Sequence, residues 1–371
     1  MVIGVLKEPD FENRVSLLPE SITPLIKKGI QVFVQKDAGK NASCNDDDYS
    51  KIGAEIKSAD EIISSSDIIL SINHPQASYI SHLASHIIIG IYHPLFNAPL
   101  MRDWAKQNIT VFSLDMLPRT TRAQSMDVLS SQANIAGYKA VLLAAATYPR
   151  YFPMLMTAAG SIPPAKVLIL GAGVAGLQAI ATARRLGAVV EVFDTRPAVK
   201  EEVMSLGGKF IEVEGAADAS KAGGYAVEQT QEFLEKQKAK IAESIAKADV
   251  VITTAQIPGK KAPILVTGEM MSAMKKGSLI VDLAASTGGN TEYTKNNETV
   301  KYNGVSIIGN SALASEMPYD ASKMYGKNVL NFLQLIIDKE GKLNLNFEDD
   351  LVKGACIVQK GEVTNERVKS L

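Results

Sequence analysis

Three glycines in the stretch KVLILGAGVAGLQAIATARRLGAVVEVFD follow the spacing G-x-G-x-x-G, at Gly171, Gly173 and Gly176. An apolar run that predicts a strand precedes them, and an Ala-rich run that predicts a helix follows. The first glycine would permit a tight turn, the second a close approach of a pyrophosphate, and the third close packing of helix and strand. The helix N-terminus would offer free N–H groups to phosphates. The pattern predicts a dinucleotide site, the alternative being a glycine-rich turn without a ligand.

Asp194 ends the next predicted strand, 18 residues after Gly176. A carboxylate at this place can accept hydrogen bonds from both hydroxyls of a ribose. Its charge would repel a 2′-phosphate, so the sequence favours NAD(H) over NADP(H). Arg196, two residues further along, works slightly against that preference.

A polar stretch, RTTRAQSMDVLSSQAN, covers residues 119–134 and contains neither Gly nor Pro. It lies between an apolar strand and an apolar helix. Considered alone, it could be the polar start of a helix or a set of side chains that hold a polar ligand. Because open α/β sheets bind ligands at the carboxyl ends of their strands, a second sheet facing the nucleotide site would place this stretch beside the nicotinamide.

The elements that position these residues form two series. Short apolar runs alternate with helical patterns, which predicts parallel sheets with right-handed crossovers. The predicted strands are residues 2–6, 31–35, 67–72, 86–92 and 109–115, and then 166–171, 189–194, 209–213, 249–254, 278–284 and 305–310. The predicted fold class is α/β, with two doubly wound parallel-sheet (Rossmann-like) domains and an NAD cleft between them.

The length of 371 residues also favours two domains over one. We expect an N-terminal α/β domain over residues 1–130, completed by an amphipathic C-terminal helix within 318–345. The NAD-binding Rossmann domain would cover residues 131–317. Residues 346–371 are mixed and polar, and are expected to be a polar tail.

Composition excludes several classes of function. The formal net charge of -1 gives no reason to expect a nucleic-acid partner. The two cysteines, Cys44 and Cys356, lack metal-ligand spacing, so no metal site is proposed and a reducing compartment is expected. No apolar run reaches the length of about 20 residues that a membrane span needs.

Several stretches together resemble the NAD(H)-binding component (domain I, within the alpha subunit) of proton-translocating NAD(P) transhydrogenases, to which alanine dehydrogenases are related. The resemblance extends from residue 1 to about residue 347, and RAQSMDVLSSQ is its most specific segment. The other stretches are KEPDFENRVSLLPE, FPMLMTAAGSIPPAKVLILGAGVAGLQAIATARRLGAVVEVFDTR, SLGGKF, AGGYA, TTAQIPGKKAPILVT and IVDLAASTGGN.

The resemblance implies an enzyme component that holds NAD(H) and exchanges hydride with NADP(H) on a partner component, with Si-Re specificity. A membrane-spanning proton-channel component would couple this exchange to proton movement. The chain would then be cytoplasmic, peripheral on the inner membrane through its partners, and a homodimer.

Matched residue by residue, the resemblance places Arg119, Gln124, Asp127 and Ser130 around the nicotinamide and its ribose. Such a role fits the chemistry, because hydride transfer needs the two rings positioned and little further protein chemistry.

The resemblance places a second group of residues along the adenosine half of the nucleotide. These are Val174, Asp194, Thr195, Arg196, Gly224, Gln237 and Gln256. Tyr225 lies in AGGYA, which resembles a mobile loop that folds over bound nucleotide; an ordinary flexible surface loop is the alternative.

An alanine dehydrogenase is the main alternative. Such an enzyme needs a carboxylate clamp and acid–base groups in addition to the nucleotide. Arg14 and His93 stand where these enzymes place two of those groups, although Arg14 could simply pair with Glu12 or Glu20, and His93 could be a structural histidine bonded to backbone. The other two positions hold Asn73 and Ser286 instead of a lysine and an acid. A third hypothesis is an NAD-sensing module without enzymatic activity.

Overall fold

The computed structural model describes residues 1–213 and 230–371. Their strands are β1 (Val2–Val5), β2 (Gln31–Gln35), β3 (Glu55–Lys57), β4 (Ile68–Leu70), β5 (Ile87–Gly90), β6 (Thr110–Ser113), β7 (Leu155–Thr157), β8 (Gly160–Ile162), β9 (Lys166–Leu170), β10 (Val189–Phe193), β11 (Lys209–Phe210), β12 (Val250–Thr253), β13 (Leu279–Asp282), β14 (Thr299–Tyr302), β15 (Val305–Ile308), β16 (Cys356–Gln359) and β17 (Glu362–Val363).

The helices of the same residues alternate with these strands. They are α1 (Pro19–Lys27), α2 (Asp46–Ser50), α3 (Ala59–Ser65), α4 (Ala77–Ile80), α5 (Ala98–Lys106), α6 (Val128–Thr147), α7 (Val174–Arg185), α8 (Lys200–Ser205), α9 (Gln231–Lys247), α10 (Gly268–Ser272), α11 (Pro318–Ile336), α12 (Asp350–Ala355) and α13 (Glu366–Lys369). None of them combines the length and hydropathy of a membrane-spanning helix.

The chain divides into two compact units. Unit 1 comprises Met1–Gln132 and Ala314–Leu371. Its sheet has the order β17-β16-β6-β5-β4-β1-β2-β3, in which β1 to β6 are parallel and β16 and β17 are antiparallel. The six parallel strands therefore follow the doubly wound order 3-2-1-4-5-6. The strand order changes direction between β1 and β4, and this place is the crossover point of the sheet.

Unit 2 comprises Ala133–Leu313. Its main sheet has the order β11-β10-β9-β12-β13-β15-β14, and among the described strands of this sheet only β14 is antiparallel. The crossover point lies between β9 and β12. β7 and β8 form a separate two-stranded hairpin. Both units thus confirm the predicted α/β class with two doubly wound, mainly parallel sheets.

Both sheets are covered by apolar side chains on each face. In β4, Ile68 and Leu70 belong to one buried cluster and Ile69 to another. In β9, Ile169 and Leu170 likewise belong to opposite clusters. Because successive side chains of a strand point to opposite faces, burial on both faces produces the uninterrupted apolar runs seen in the sequence.

The structure corrects the expected polar tail. Residues 346–371 form α12, β16, β17 and α13 and belong to unit 1. β16 pairs with β6, and Ile357 and Val358 are fully buried. Side-chain caps start both helices, since Asp349 accepts from the backbone N–H of Leu351, and Asn365 from that of Arg367. Strand CIVQ has only three apolar residues and is followed by Lys360, so hydrophobic patterning missed it.

Candidate functional site

The glycine motif lies at the crossover point of unit 2, where β9 and β12 end side by side. Gly171 directly follows β9 and has a φ of +106°, a left-handed conformation that favours glycine. Thr254 directly follows β12, and its hydroxyl donates to the backbone oxygen of Gly171 (3.1 Å). The neighbouring strand therefore holds the turn in place.

Gly173 and Gly176 have different surroundings. A Cβ on Gly176 would lie 1.9 Å from the backbone oxygen of Gly171, so the fold itself requires the third glycine. A Cβ on Gly173 would meet no atom within 4 Å. α7 begins at the next residue, and no side chain caps its first N–H groups. An uncrowded glycine beside uncapped N–H groups is a place that fits a phosphate.

Asp194 follows β10 and faces the same turn. Its Oδ2 accepts from the backbone N–H of Ala172 (2.7 Å). Arg196 donates to Oδ1 from its backbone nitrogen and from Nε, and to Oδ2 from Nη2, each at 2.8 Å. These four bonds use the acceptor capacity of the carboxylate. Ribose hydroxyls can therefore bind Asp194 only if Arg196 gives way, a requirement that the sequence did not indicate.

Three further residues that were predicted on the adenosine side follow strands of the unit 2 sheet. Val174 is the first residue of α7 and is 39% exposed. Thr195 is half-buried between Asp194 and Arg196. Gln256 is exposed, and its Nε2 donates to the backbone oxygen of Leu283 (3.1 Å).

Gln237 lies on α9, away from the glycine turn in sequence. Its side chain is buried, and within the described ranges 1–213 and 230–371 its Oε1 has no hydrogen-bond partner. Gly224 and Tyr225 lie outside the described residues. Their predicted roles in a loop over the nucleotide therefore stay predictions.

Asn290 is a supporting residue that the sequence analysis missed. It is fully buried, and its Nδ2 donates to the backbone oxygens of Ala255 and Pro263, both at 2.8 Å. Its Oδ1 accepts from the backbone N–H of Ala255 (3.0 Å). Asn290 thus fixes the backbone next to Gln256. The available indication in the sequence was its position directly after the paired glycines of STGGN.

In unit 1, the polar stretch 119–134 forms a 3-10 helix, Thr121–Met126, followed by the start of α6. Ala123 and Met126, three residues apart, are buried in the core of the unit. Their apolar contacts anchor the segment, which leaves its polar residues on the other side. Arg119 and Gln124 are exposed, whereas Asp127 and Ser130 are half-buried.

Asp127 and Ser130 are brought together at the start of α6. Asp127 Oδ1 accepts from the backbone N–H of Ser130 (2.9 Å), and Oδ2 accepts from its hydroxyl (2.6 Å). The side-chain amide of Gln124 has no hydrogen-bond partner among the residues that the structure describes. The segment therefore presents an unengaged amide and a paired carboxylate and hydroxyl, groups suited to hold a carboxamide and a ribose.

A buried polar cluster occupies the crossover point of unit 1, where β1 and β4 end. Glu8 is only 6% exposed. Its Oε1 accepts from the backbone N–H of Ile72 (2.5 Å), and its Oε2 accepts from the backbone and the side chain of Asn73, both at 3.0 Å. Burial outweighs these bonds and raises the pKa of Glu8 to about 7.

All three guanidinium nitrogens of Arg14 donate hydrogen bonds within the same unit. Its Nε and Nη2 donate to the two carboxylate oxygens of Glu12 (2.8 and 2.6 Å), and its Nη1 donates to Gln132 Oε1 (2.7 Å). Burial alone would raise the pKa of Glu12, but the bonds and charge of Arg14 outweigh it and hold that pKa below its usual range. The pairing with Glu12 that the sequence offered for Arg14 is confirmed.

The other two positions of the dehydrogenase alternative are exposed. The His93 side chain is 57% exposed, and its Nδ1 lies 3.5 Å from Asp115 Oδ2. This geometry corrects the expectation of a histidine bonded to backbone. Ser286 is exposed in a short 3-10 helix after β13.

The buried Glu8 predicts a pH-dependent stability. The carboxyl of Glu8 loses its proton near pH 4.5 in the unfolded chain but only near pH 7 in the native state. Between these two values the native state binds one more proton than the unfolded state. Stability is therefore fully present below pH 4.5 and falls by about 3 kcal/mol as the pH rises to about 7. Urea unfolding from pH 5 to 8 should show this fall, and Glu8→Gln should flatten it. Glu362→Gln, at an exposed carboxylate, is the control; an equally steep fall in Glu8→Gln would contradict the assignment.

Comparison with known proteins gives the family. The chain matches the family description "Alanine dehydrogenase/PNT, N-terminal domain" over residues 4–136 and "Alanine dehydrogenase/PNT, C-terminal domain" over residues 140–366. The chain belongs to this alanine dehydrogenase/PNT family. Membership implies that it binds a nicotinamide nucleotide.

Within the family, the likeness is greater to transhydrogenases. The chain is 43% identical to an NAD(P) transhydrogenase alpha-subunit chain of Rhodospirillum rubrum, over 98% of each chain. A crystal structure of transhydrogenase from Sinorhizobium meliloti superposes with a TM-score of 0.89 at 45% identity, covering 98% of this chain and 100% of that one. An L-alanine dehydrogenase structure (TM-score 0.82, 24% identity, covering 100% and 98%) shares the fold. This homology supports a transhydrogenase component and confirms the resemblance seen in the sequence.

Proposed function

We propose that this chain is the NAD(H)-binding component of a proton-translocating, Si-Re specific transhydrogenase. It exchanges hydride between NADH and NADP⁺ held on a separate component. The observation that carries the proposal is the engagement of Arg14 by Glu12 and Gln132, beside Asn73. A keto acid would need a free cation and acid–base groups there, whereas hydride exchange between two nicotinamides needs neither.

Arg119, Gln124, Asp127 and Ser130 surround the nicotinamide and its ribose in this proposal. Two rings must come within about 3–3.5 Å for hydride to pass, so the task of these residues is to hold one ring in place. The unengaged amide of Gln124 suits a carboxamide, which has one acceptor and two donors of its own. The Asp127–Ser130 pair suits ribose hydroxyls.

The adenosine half lies along unit 2 in the same proposal. The pyrophosphate lies over Gly173 and the start of α7, with Gly171 and Gly176 shaping the turn. Asp194 binds the ribose, while the other predicted residues line the adenosine. These are Val174, Thr195, Arg196, Gly224, Tyr225, Gln237 and Gln256.

The partners follow from the same assignment. They are an NADP(H)-binding component and a membrane-spanning proton-channel component, and the chain itself forms a homodimer. The chain would be cytoplasmic and peripheral on the inner membrane through those partners.

A mixing experiment tests the proposed function. The purified chain, loaded with NADH, should reduce NADP⁺ only when the NADP(H)-binding component is added, and it should not convert pyruvate and ammonia to alanine. The control is the same partner without NADP⁺. Alanine formation by the chain alone would establish the dehydrogenase alternative, and NADH binding without hydride exchange would indicate an NAD-sensing module.

A further inference from the structure

The 3-10 segment that carries Gln124, Thr121–Met126, has an irregular C-terminal junction. The residue after it, Asp127, has φ and ψ of −74° and 90°, which belong to neither a 3-10 nor an α-helix. The backbone bond across this junction, from the N–H of Asp127 to the oxygen of Gln124, is long at 3.4 Å. At such a junction some other contact has to decide where the side chains point.

That contact comes from α11, about two hundred residues later. Asn328 Nδ2 donates to the backbone oxygen of Ser125 (2.8 Å), and Asn328 Oδ1 accepts from the hydroxyl of Ser131 (2.7 Å). The buried side-chain amide of Asn328 thus bridges Ser125 and Ser131, and Asp127 and Ser130 lie between these two residues in the chain. Asn331, one turn further along α11, donates a second bond to the oxygen of Ser125 (2.8 Å).

The bridge extends into a longer network. Ser131 Oγ also accepts from Gln132 Nε2 (3.3 Å), and Gln132 Oε1 accepts from Arg14 (2.7 Å). The polar stretch therefore divides into two sets. Ser125, Ser131 and Gln132 bond to the scaffold of unit 1. The Gln124 side chain makes no such bond among the described residues, and Asp127 bonds to Ser130 at the start of α6.

We infer that Asn328 is a positioning residue for hydride transfer, an inference that rests on the proposed function. Its amide, through Ser125 and Ser131, sets the place of the nicotinamide-holding side chains, and Asn331 supports it. Loss of the Ser125 bond lets the segment shift, and a misplacement of about 1 Å can slow a reaction about a hundredfold. The adenosine half remains to bind the nucleotide, so affinity is retained.

The experiment compares Asn328→Asp with Gln124→Asn in the complete chain, mixed with the NADP(H)-binding component. Asn328→Asp keeps the oxygen that faces Ser131 and removes the N–H that faces Ser125. The single-turnover rate of hydride transfer is expected to fall at least about tenfold, with the NADH Kd within about twofold of wild type. Gln124→Asn should likewise lower the transfer rate and leave the NADH Kd within about twofold of wild type. Gln334→Ala, an exposed amide on the same helix, should change neither quantity.

Each outcome decides one point. An unchanged transfer rate in Asn328→Asp, with a slow rate in Gln124→Asn, overturns the inference and leaves the proposed function intact. If both variants lose NADH binding and rate in equal proportion, or neither changes, the role of the segment in the proposed function fails as well. Should Asn328→Asp not fold, Asn331→Ala decides, because it removes a half-exposed donor to the same oxygen. Its transfer rate should fall about threefold at unchanged Kd, and an unchanged rate overturns the inference.

Discussion

Replacing Gly173 by alanine is expected to weaken NADH binding about a hundredfold while leaving the fold intact. The backbone of Gly173 has φ −77° and ψ −170°, which alanine adopts without strain, and its Cβ would meet no protein atom within 4 Å. The added methyl group instead occupies the space of a pyrophosphate that lies on the backbone. We expect the NADH Kd to rise about a hundredfold, or about 2.8 kcal/mol. The thermal midpoint should stay the same or rise, because Gly→Ala at a compatible position stabilises by about 0.4–1 kcal/mol.

Gly176→Ala is the matched control in the same motif. Its Cβ would lie 1.9 Å from the backbone oxygen of Gly171, so α7 has to move from the turn. This variant should lower the thermal midpoint and NADH affinity together, with a cost of about 1–3 kcal/mol for overpacking. Calorimetric titration and thermal unfolding of the two variants separate a ligand contact from a packing contact. Unchanged NADH affinity in Gly173→Ala would remove the observation on which the nucleotide site rests.

The central strands could be predicted because burial on both faces leaves an uninterrupted apolar run. Of the edge strands, β11 lies within the predicted strand 209–213, but the others could not be predicted. β3 and β14 have exposed or half-buried residues throughout, and β17 is two residues long. The C-terminal strands could not be predicted for a different reason. β16 is buried because it pairs with β6, which lies more than two hundred residues earlier in the chain. Nothing in the local pattern indicates such a partner.

The candidate site also has a part that could be predicted from the sequence and a part that could not. The glycine motif and Asp194 lie within one short stretch, so spacing alone predicted them. The bond from Asn328 to Ser125 spans 203 residues, and the bond from Arg14 to Gln132 spans 118. Contacts at such separations depend on how α11 and the segment after β1 pack against residues 121–132. Composition and the family resemblance could therefore indicate the polar stretch, but not the contacts that hold it.

The two crossover points show how one strand order serves different tasks. In unit 2 the turn after β9 is uncrowded at Gly173, which suits a phosphate. In unit 1 the equivalent place is filled by Glu8, whose carboxylate accepts three hydrogen bonds from Ile72 and Asn73. The doubly wound order creates the position, and the side chains decide whether a ligand or the protein occupies it.

Asp194→Asn is expected to reduce the preference for NADH over NADPH about a hundredfold. The variant keeps an oxygen that can accept from Ala172, but it removes the charge that repels a 2′-phosphate. At an effective dielectric of about 20, two unpaired unit charges 4 Å apart interact by about 4 kcal/mol. The pairing of Asp194 with Arg196 lowers this repulsion, so the expected hundredfold change, about 2.8 kcal/mol, lies below that bound. Arg196, which donates three bonds to Asp194 in this structure, becomes available to pair with the 2′-phosphate.

NADH affinity should fall about tenfold, because the ribose loses an anionic acceptor, and NADPH affinity should rise about tenfold, because repulsion becomes attraction. Fluorescence titration with each nucleotide measures both. Glu191→Gln is the control, since it removes a carboxylate charge from β10, the strand that precedes Asp194, where it pairs with Lys209 at 3.1 Å. Equal losses for NADH and NADPH in Asp194→Asn would show that Asp194 only holds the turn through Ala172. A change in preference in that variant alone would instead show that its charge discriminates between the two nucleotides.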